Sequence, residues 1–206
     1  MTPAESGNWH PKHLGGSIDI LPFYAEMQTH IPQGGSFLEV GSFFGRSVAF
    51  MGALRHDLQL HVCDPWEDEF DGGLVSSEAK LFIEKEGGTL YHAFRYLMLE
   101  HAPEVLERLT IVRDRSNPGL KQFGDASMDF VFIDGSHYYD AVLYDCKEAI
   151  RIVKKGGVIG GHDFCWGNDV VRAVTEVFGS DFRQASWPSP REGWTQGHSS
   201  VWWTVR

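Results

Sequence analysis

The sequence predicts an α/β protein: one domain over residues 1–206, built on a doubly wound, mostly parallel sheet with helices on both faces. Three observations carry that prediction. Short apolar runs alternate with stretches of helical period along residues 34–165, the pattern of βαβ units. Five strand-like runs each end on acidic, glycine or histidine residues, as expected where strand carboxyl ends face a ligand. Two late strand-like pieces are joined by a Pro- and Gly-rich link without a helix, which suits an antiparallel hairpin at one edge.

The elements follow in order. "SFLEVG" (36–41) is short, apolar and ends on glycine, as a buried strand does. "SVAFMGALRH" (47–56) carries apolar residues at helical spacing, and "LQLHVCDPW" (58–66) is a second strand stopped by Pro65. "LTIVRD" (109–114) and "MDFVFID" (128–134) are the third and fourth strands. "YDAVLYDCKEAIRIV" (139–153) is an amphipathic helix whose Ala141, Val142, Cys146, Ala149, Ile150 and Val153 keep the 3.6 period. Asp140 and Asp145 are expected on its exposed or N-terminal part, where acids favour the dipole. "KKGGVIGGHDF" (154–164) gives a helix stop at Gly156–Gly157 and then a fifth strand. "SDFRQAS" and "SSVWWTVR" form the final hairpin. Residues 66–103 are too long for a minimal connection and have their own helical pattern, so they read as a helical insertion. Together with residues 1–33 they are the candidate substrate-covering segments.

Composition excludes several classes. The formal net charge is −10, which argues against nucleic acid or an anionic membrane as partner, because both demand clustered Lys and Arg. No run approaches about 18 apolar residues, so no transmembrane helix is expected. The N-terminus has no basic stretch followed by an apolar one, so no signal peptide is expected. Cys63, Cys146 and Cys165 are too few and scattered for a disulfide framework or zinc site, and reduced thiols in a cytoplasmic protein are the simplest account.

The strand ends carry the chemistry. In "EVGSFFGRS", Gly41 and Gly45 flank a tight turn into a helix, and glycine there admits positive φ and close approach of a ligand to the backbone. The spacing of a phosphate-cradling loop is missing, and no Lys follows. Glu39 before the loop would repel a pyrophosphate and suit a cation. Asp64 follows Gly41 by 23 residues, and an acid about 20 residues past such a turn is placed to bind ribose hydroxyls. A cationic nucleoside without phosphate meets both conditions, and S-adenosylmethionine is such a molecule. The plainer reading of Asp64 is a turn cap before Pro65.

The segments "FLEVGSFFGRS", "HVCDPW", "FVFIDGSHYYDAVLYD" and "VKKGGVIGGHDF" resemble the class I S-adenosylmethionine-dependent methyltransferases, and within them the small O-methyltransferases of the catechol and macrocin types. That resemblance covers residues 34–165 and implies a Rossmann-like fold. It implies that Glu39 hydrogen-bonds near the methionine end, that Gly41, Phe43 and Gly45 give backbone contact, and that Ser47 binds the carboxylate at the helix start. Asp64 would take the ribose, and Asp114 to Ser116 would sit by the adenine.

The resemblance also places a metal. Asp134, with the His162–Asp163 pair, stands where catechol-type enzymes hold Mg²⁺, and the imidazole of His162 suits Mn²⁺, Fe²⁺, Zn²⁺ or Ni²⁺ better. His137, three residues after Asp134, stands where macrocin-type enzymes place a general base. With an unperturbed pKa of about 6.5, histidine is suited to take a hydroxyl proton near neutral pH; the alternatives are a helix cap, or packing on Tyr138 or Tyr139. His162 could share or replace that role. The expected function is methyl transfer to the hydroxyl of a small-molecule acceptor, with the pocket drawn from Trp9, Phe23, Tyr24, the 66–103 insertion, Trp187 and Trp194. A homodimer is compatible with the resemblance. A metal-dependent hydroxylase using His137, His162 and Asp134 or Asp163, and a non-catalytic S-adenosylmethionine-binding domain, are the alternatives; a dinucleotide oxidoreductase fits less well.

Overall fold

The computed structural model describes residues 20–67, 69–70, 73–74, 88–164, 167–188 and 198–206. The strands are β1 (Ser36–Val40), β2 (Gln59–Cys63), a two-residue pair β3 (Glu69–Phe70) and β4 (Gly73–Leu74), β5 (Leu109–Val112), β6 (Met128–Ile133), β7 (Val153–Gly161), β8 (Arg183–Pro188) and β9 (His198–Val205). The helices are α1 (Leu21–Met27), α2 (Arg46–Leu54), α3 (Leu90–His101), α4 (Pro103–Leu106), α5 (Ser116–Gly119), α6 (Tyr139–Ile152) and α7 (Gly167–Phe178).

Seven strands form one sheet in the order β5-β2-β1-β6-β7-β9-β8. The first five are mutually parallel, while β9 runs antiparallel to both β7 and β8. The chain moves outward from β1 through β2 to β5, then returns to lay β6 on the other side of β1. That reversal puts a crevice between the carboxyl ends of β1 and β6, where open α/β sheets bind their ligands.

Strand alternation sorts the core onto two faces. Phe37, Phe130 and Phe132 join Phe23, Phe50 and Phe94 on one face, under α1, α2 and α3. Leu38, Val131 and Ile133 join Cys146, Ala149, Ala173 and Val174 on the other, under α6 and α7. Gly160 and Gly161 in β7 admit large rings on opposite faces. A Cβ on Gly160 would stand 3.1 Å from Phe23 Cζ, and one on Gly161 would stand 2.7 Å from the Trp202 ring. The glycines before His162 are therefore packing requirements.

The structure corrects several expectations. The helix α6 ends at Ile152 and passes directly into β7, so Gly156 and Gly157 lie inside a strand and do not stop the helix. They serve an irregularity in the β6–β7 pairing, which steps from Met128↔Val153 to Phe130↔Val158, with Gly156 at φ +83°. Asp145 is 1% exposed and faces the sheet, so it is no surface acid of the helix. Phe23 and Tyr24 are fully buried core residues and leave no side chain for an acceptor pocket. The 66–103 insertion holds the β3–β4 pair as well as α3. Helices α1 and α7 were not expected. Trp9, Trp194 and Cys165 lie outside the described residues; Cys63 and Cys146 are free and buried. Among the described residues no helix is long and apolar enough to cross a membrane.

Candidate functional site

The loop after β1 is held from three sides. Gly45 caps α2 at φ +85°, and Gly41 turns the chain at φ +83°. A Cβ on Gly41 would lie 2.2 Å from the Asp134 carbonyl oxygen, and one on Gly45 would lie 2.5 Å from Met98 Sδ. The space these glycines leave is thus filled by the end of β6 and by α3, which brings Asp134 against the loop. Phe43, between them, is left-handed at φ 48°.

Asp64 gathers this loop. Its Oδ2 accepts from the backbone N–H groups of Ser42 (2.8 Å) and Phe43 (2.9 Å), and its Oδ1 from that of Trp66 (2.7 Å). A carboxylate offers about four acceptor positions, so three are engaged by the backbone and the turn-cap role is realised. Trp66 closes the arrangement by donating its indole N–H to the Phe43 carbonyl at 2.6 Å and packing on Phe94, with ring centroids 4.5 Å apart. The 66–103 segment therefore buttresses the glycine loop through Trp66, Phe94 and Met98.

Beneath the loop lies a buried polar network. Tyr24 donates to Glu39 Oε1 at 2.7 Å, and Ser42 Oγ donates to Oε2 at 2.9 Å. Burial pushes the Glu39 carboxyl up to about 7; hydrogen bonds from Ser47, Tyr24 and Ser42 oppose that rise, and the nearby Asp134 charge adds to it. The same burial and the Glu39 charge hold the Tyr24 hydroxyl well above its ordinary range. Ser47, in the first turn of α2, is buried and turned toward Glu39.

The ends of β6 and β7 supply the second cluster. His162 Nδ1 stands 3.2 Å from Asp134 Oδ1 and 3.2 Å from Asp163 Oδ2, and His137 Nε2 stands 2.8 Å from Asp163 Oδ2. The four groups form the chain Asp134–His162–Asp163–His137. Asp163 takes a left-handed φ of 57°, a conformation that costs about 1–3 kcal/mol outside glycine and is retained where surroundings impose it. Burial acts to raise the Asp163 carboxyl, but His137 and then His162 outweigh it and hold it below its ordinary range. Asp134 goes the other way: burial raises it, and His162 only partly offsets that. Val142, Val170 and Trp202 form the apolar side of a small pocket against this cluster.

The donors of this cluster fit a divalent ion. One ligand atom each from Asp134, His162 and Asp163 lie within 4.8 Å of one another. Neighbouring donors around an ion held at about 2.0–2.1 Å stand about 3 Å apart, close to the two 3.2 Å separations. An imidazole between two carboxylates suits Mn²⁺, Fe²⁺ or Zn²⁺ better than Mg²⁺.

The structure thus brings Asp134, His137, His162 and Asp163 together, and joins Glu39, Gly41, Phe43, Gly45, Ser47 and Asp64 in the adjoining loop. Ser116 lies apart, opening α5 beyond β5; burial pushes the Asp145 carboxyl up to about 7, and Ser116 opposes that rise. Beside it Arg115 pairs with Glu67 across the edge of the crevice. Trp66 is a site residue that sequence reasoning missed; Tyr24 was expected at the acceptor pocket and instead bonds Glu39, and Asp145 was expected on the exposed part of its helix and is buried. Only Asp145 carried a usable signal, since it falls within the buried stripe Val142, Asp145, Cys146, Ala149, Ile152 of α6.

Comparison with known proteins agrees with this fold. A family model described as a methyltransferase domain matches residues 38–164, more than half of the chain. No curated protein sequence matches it. Among solved structures it is similar to a precorrin-6y C5,15-methyltransferase from Geobacter metallireducens, at 14% identity and TM-score 0.64 over 96% of this chain and 94% of that one. It is also similar to the O-methyltransferase TomG from Streptomyces achromogenes, involved in tomaymycin synthesis and solved with S-adenosylmethionine, at 17% identity and TM-score 0.60 over 98% and 88%. An O-methyltransferase from Bacillus cereus, in complex with S-adenosylhomocysteine, aligns at 14% identity and TM-score 0.56 over 100% and 82%.

Proposed function

The chain belongs to the methyltransferase domain family and is an S-adenosylmethionine-dependent methyltransferase, and on that premise we propose that it methylates a hydroxyl oxygen of a small-molecule acceptor. The observation that carries this reading is the 2.8 Å contact between His137 Nε2 and Asp163 Oδ2 at the crevice. A carboxylate on one ring nitrogen fixes the orientation and tautomer of the imidazole and stabilises its protonated form, as a general base requires.

The methionine end of the cofactor lies over β1, with Glu39 and Ser47 beneath it and the loop 41–45 along it; the ribose lies toward Asp64 and the adenine toward Ser116. The methyl group then faces the end of β6. The acceptor oxygen attacks the methyl carbon in line, the new O–C bond forms as the C–S bond breaks, and the sulfonium becomes a neutral thioether. The hydroxyl proton passes to the His137 imidazole, and Asp163 stabilises the imidazolium that results. Holding the two reactants in line away from water supplies much of the acceleration. A divalent ion held by Asp134, His162 and Asp163 would polarise the acceptor oxygen.

The test uses methyl-labelled S-adenosylmethionine with a panel of small phenols, catechols and sugar hydroxyls, comparing wild-type protein with His137→Ala. Label appearing on an acceptor oxygen with wild-type protein and lost with the variant, at unchanged cofactor affinity, is the expected result. Label on nitrogen or carbon, or equal turnover by the variant, overturns the proposal.

A further inference from the structure

Two aromatic residues beside the glycine loop hold a backbone conformation that side chains ordinarily avoid. Phe43 has φ +48° and Trp66 has φ +46°. A left-handed φ at a bulky residue is strained, and it persists where the surroundings impose it. Glycine would adopt this φ at position 43 without strain, as it does at 41 and 45 on either side. The chain instead carries a phenylalanine there, with a second strained aromatic bonded to it.

One short segment, Asp64-Pro65-Trp66, grips Phe43 from both ends. The Phe43 N–H donates to Asp64 Oδ2 at 2.9 Å, and the Phe43 carbonyl accepts from the Trp66 indole N–H at 2.6 Å. The Trp66 N–H donates to Asp64 Oδ1 at 2.7 Å, which ties the indole to the same carboxylate. The Trp66 side chain is buried between Phe94 and Tyr91, with ring centroids 4.5 Å and 5.2 Å away. With its N–H fixed, Phe43 can relax to an ordinary φ only by swinging its carbonyl. The indole N–H is therefore the contact that opposes relaxation. Packing does not account for it, since a phenylalanine at 66 would also stack on Phe94 but has no N–H to give.

We propose that Trp66 is a positioning residue for cofactor binding: its indole N–H holds Phe43 in the left-handed turn, and so presents the backbone of residues 41–45 in one arrangement before the cofactor arrives. The inference rests on the reading above that this loop lies along the cofactor. A loop that is already ordered loses no further freedom on binding, so its preorganisation appears as affinity. Trp66 needs no contact with the ligand to act in this way.

Calorimetry with S-adenosylhomocysteine tests this on the wild-type protein, Trp66→Phe, Phe43→Gly and the double variant, each below its melting temperature. Trp66→Phe keeps the stacking and loses the N–H, and should bind about tenfold more weakly. Glycine takes positive φ about as readily as negative, so in the Phe43→Gly background the same substitution should cost no more than about threefold. An equal loss in both backgrounds would mean that Trp66 does not act through Phe43, and overturns the proposal. So does a Trp66→Phe protein that binds as tightly as wild type. Val105→Ala is the control for general damage: Val105 is fully buried in α4 and packs on Gly52. It should lower the melting temperature yet leave affinity within about twofold, because a chain that stays folded keeps its binding-competent state. A loss there equal to that in Trp66→Phe overturns the assignment. Should Trp66→Phe fail to fold, Trp66→Met, which fills the site flexibly and also lacks the N–H, takes its place with the same expected losses. A wild-type protein that does not bind S-adenosylhomocysteine overturns the cofactor reading, and this inference with it.

Discussion

Replacing Glu39 by Gln should make the protein more stable above neutral pH while leaving it nearly unchanged in acid. The Glu39 carboxyl is fully buried, and burial raises it from an ordinary 4.5 to about 7 in the folded state. Below about pH 4.5 both folded and unfolded chains carry the proton, and the group contributes no pH dependence. Between 4.5 and 7 the folded chain keeps a proton that the unfolded chain has released, so stability falls as pH rises. At about 1.36 kcal/mol per pH unit the loss reaches about 3 kcal/mol above pH 7. Gln cannot ionise, yet its amide oxygen can accept from Tyr24 as the carboxylate does. Urea unfolding of both proteins from about pH 4 to about pH 8 isolates the effect, because other titrating groups cancel in the difference. The stability of Glu39→Gln relative to wild type should climb by about 3 kcal/mol across that range. A flat difference, or one that falls with pH, refutes the burial argument.

Other outcomes follow from the same geometry. Gly41→Ala forces a Cβ to 2.2 Å from the Asp134 carbonyl at φ +83°, and should cost about 2–5 kcal/mol. Gly124→Ala, which meets nothing within 4 Å, should stay within about 0.5 kcal/mol of wild type; equal melting temperatures for the two variants would contradict the packing described. Asp163→Asn preserves a side chain tolerant of the left-handed φ but removes the charge beside His137, so kcat should fall by about a hundredfold or more while S-adenosylhomocysteine affinity stays within about twofold. A parallel loss of affinity would place Asp163 in the cofactor site instead. Tyr24→Phe removes a hydrogen bond that holds the Glu39 carboxyl down, so the acid-side fall in stability should extend to higher pH; a shift toward lower pH would oppose it.

The parts of the fold that were legible are those whose signals are local. Five strands ending on polar residues, and an α6 with a clean apolar stripe, identify themselves by period and termination. Helix α1 is a seven-residue segment of which five residues are buried, so no polar face marks it. Helix α7 does carry Val170, Ala173, Val174 and Val177 at helical spacing, yet it lies between the last parallel strand and the hairpin, a stretch to which the sequence reading assigned no element. The Gly156–Gly157 stop failed because glycine ends helices and also relaxes strand irregularities, and only pairing distinguishes the two.

The candidate site divides in the same way. Its residue types were readable because they cluster at strand ends, but their partners were not. That Asp163 faces His137 as well as His162 depends on a left-handed turn at Asp163, and that Gly41 makes room for Asp134 depends on two strands 93 residues apart meeting side by side. Asp145 was misread because a charged residue at the second turn of a helix is usually solvated; its position in the apolar stripe was the better guide.

The central claim is that the crevice between β1 and β6 binds S-adenosylmethionine. Calorimetry of the full chain with S-adenosylmethionine, S-adenosylhomocysteine and NAD tests it most directly. The account predicts single-site binding of both S-adenosyl ligands at micromolar concentrations, lost in Gly41→Ala, and no heat from NAD. Binding of NAD, or of neither S-adenosyl ligand below millimolar concentrations, would contradict it.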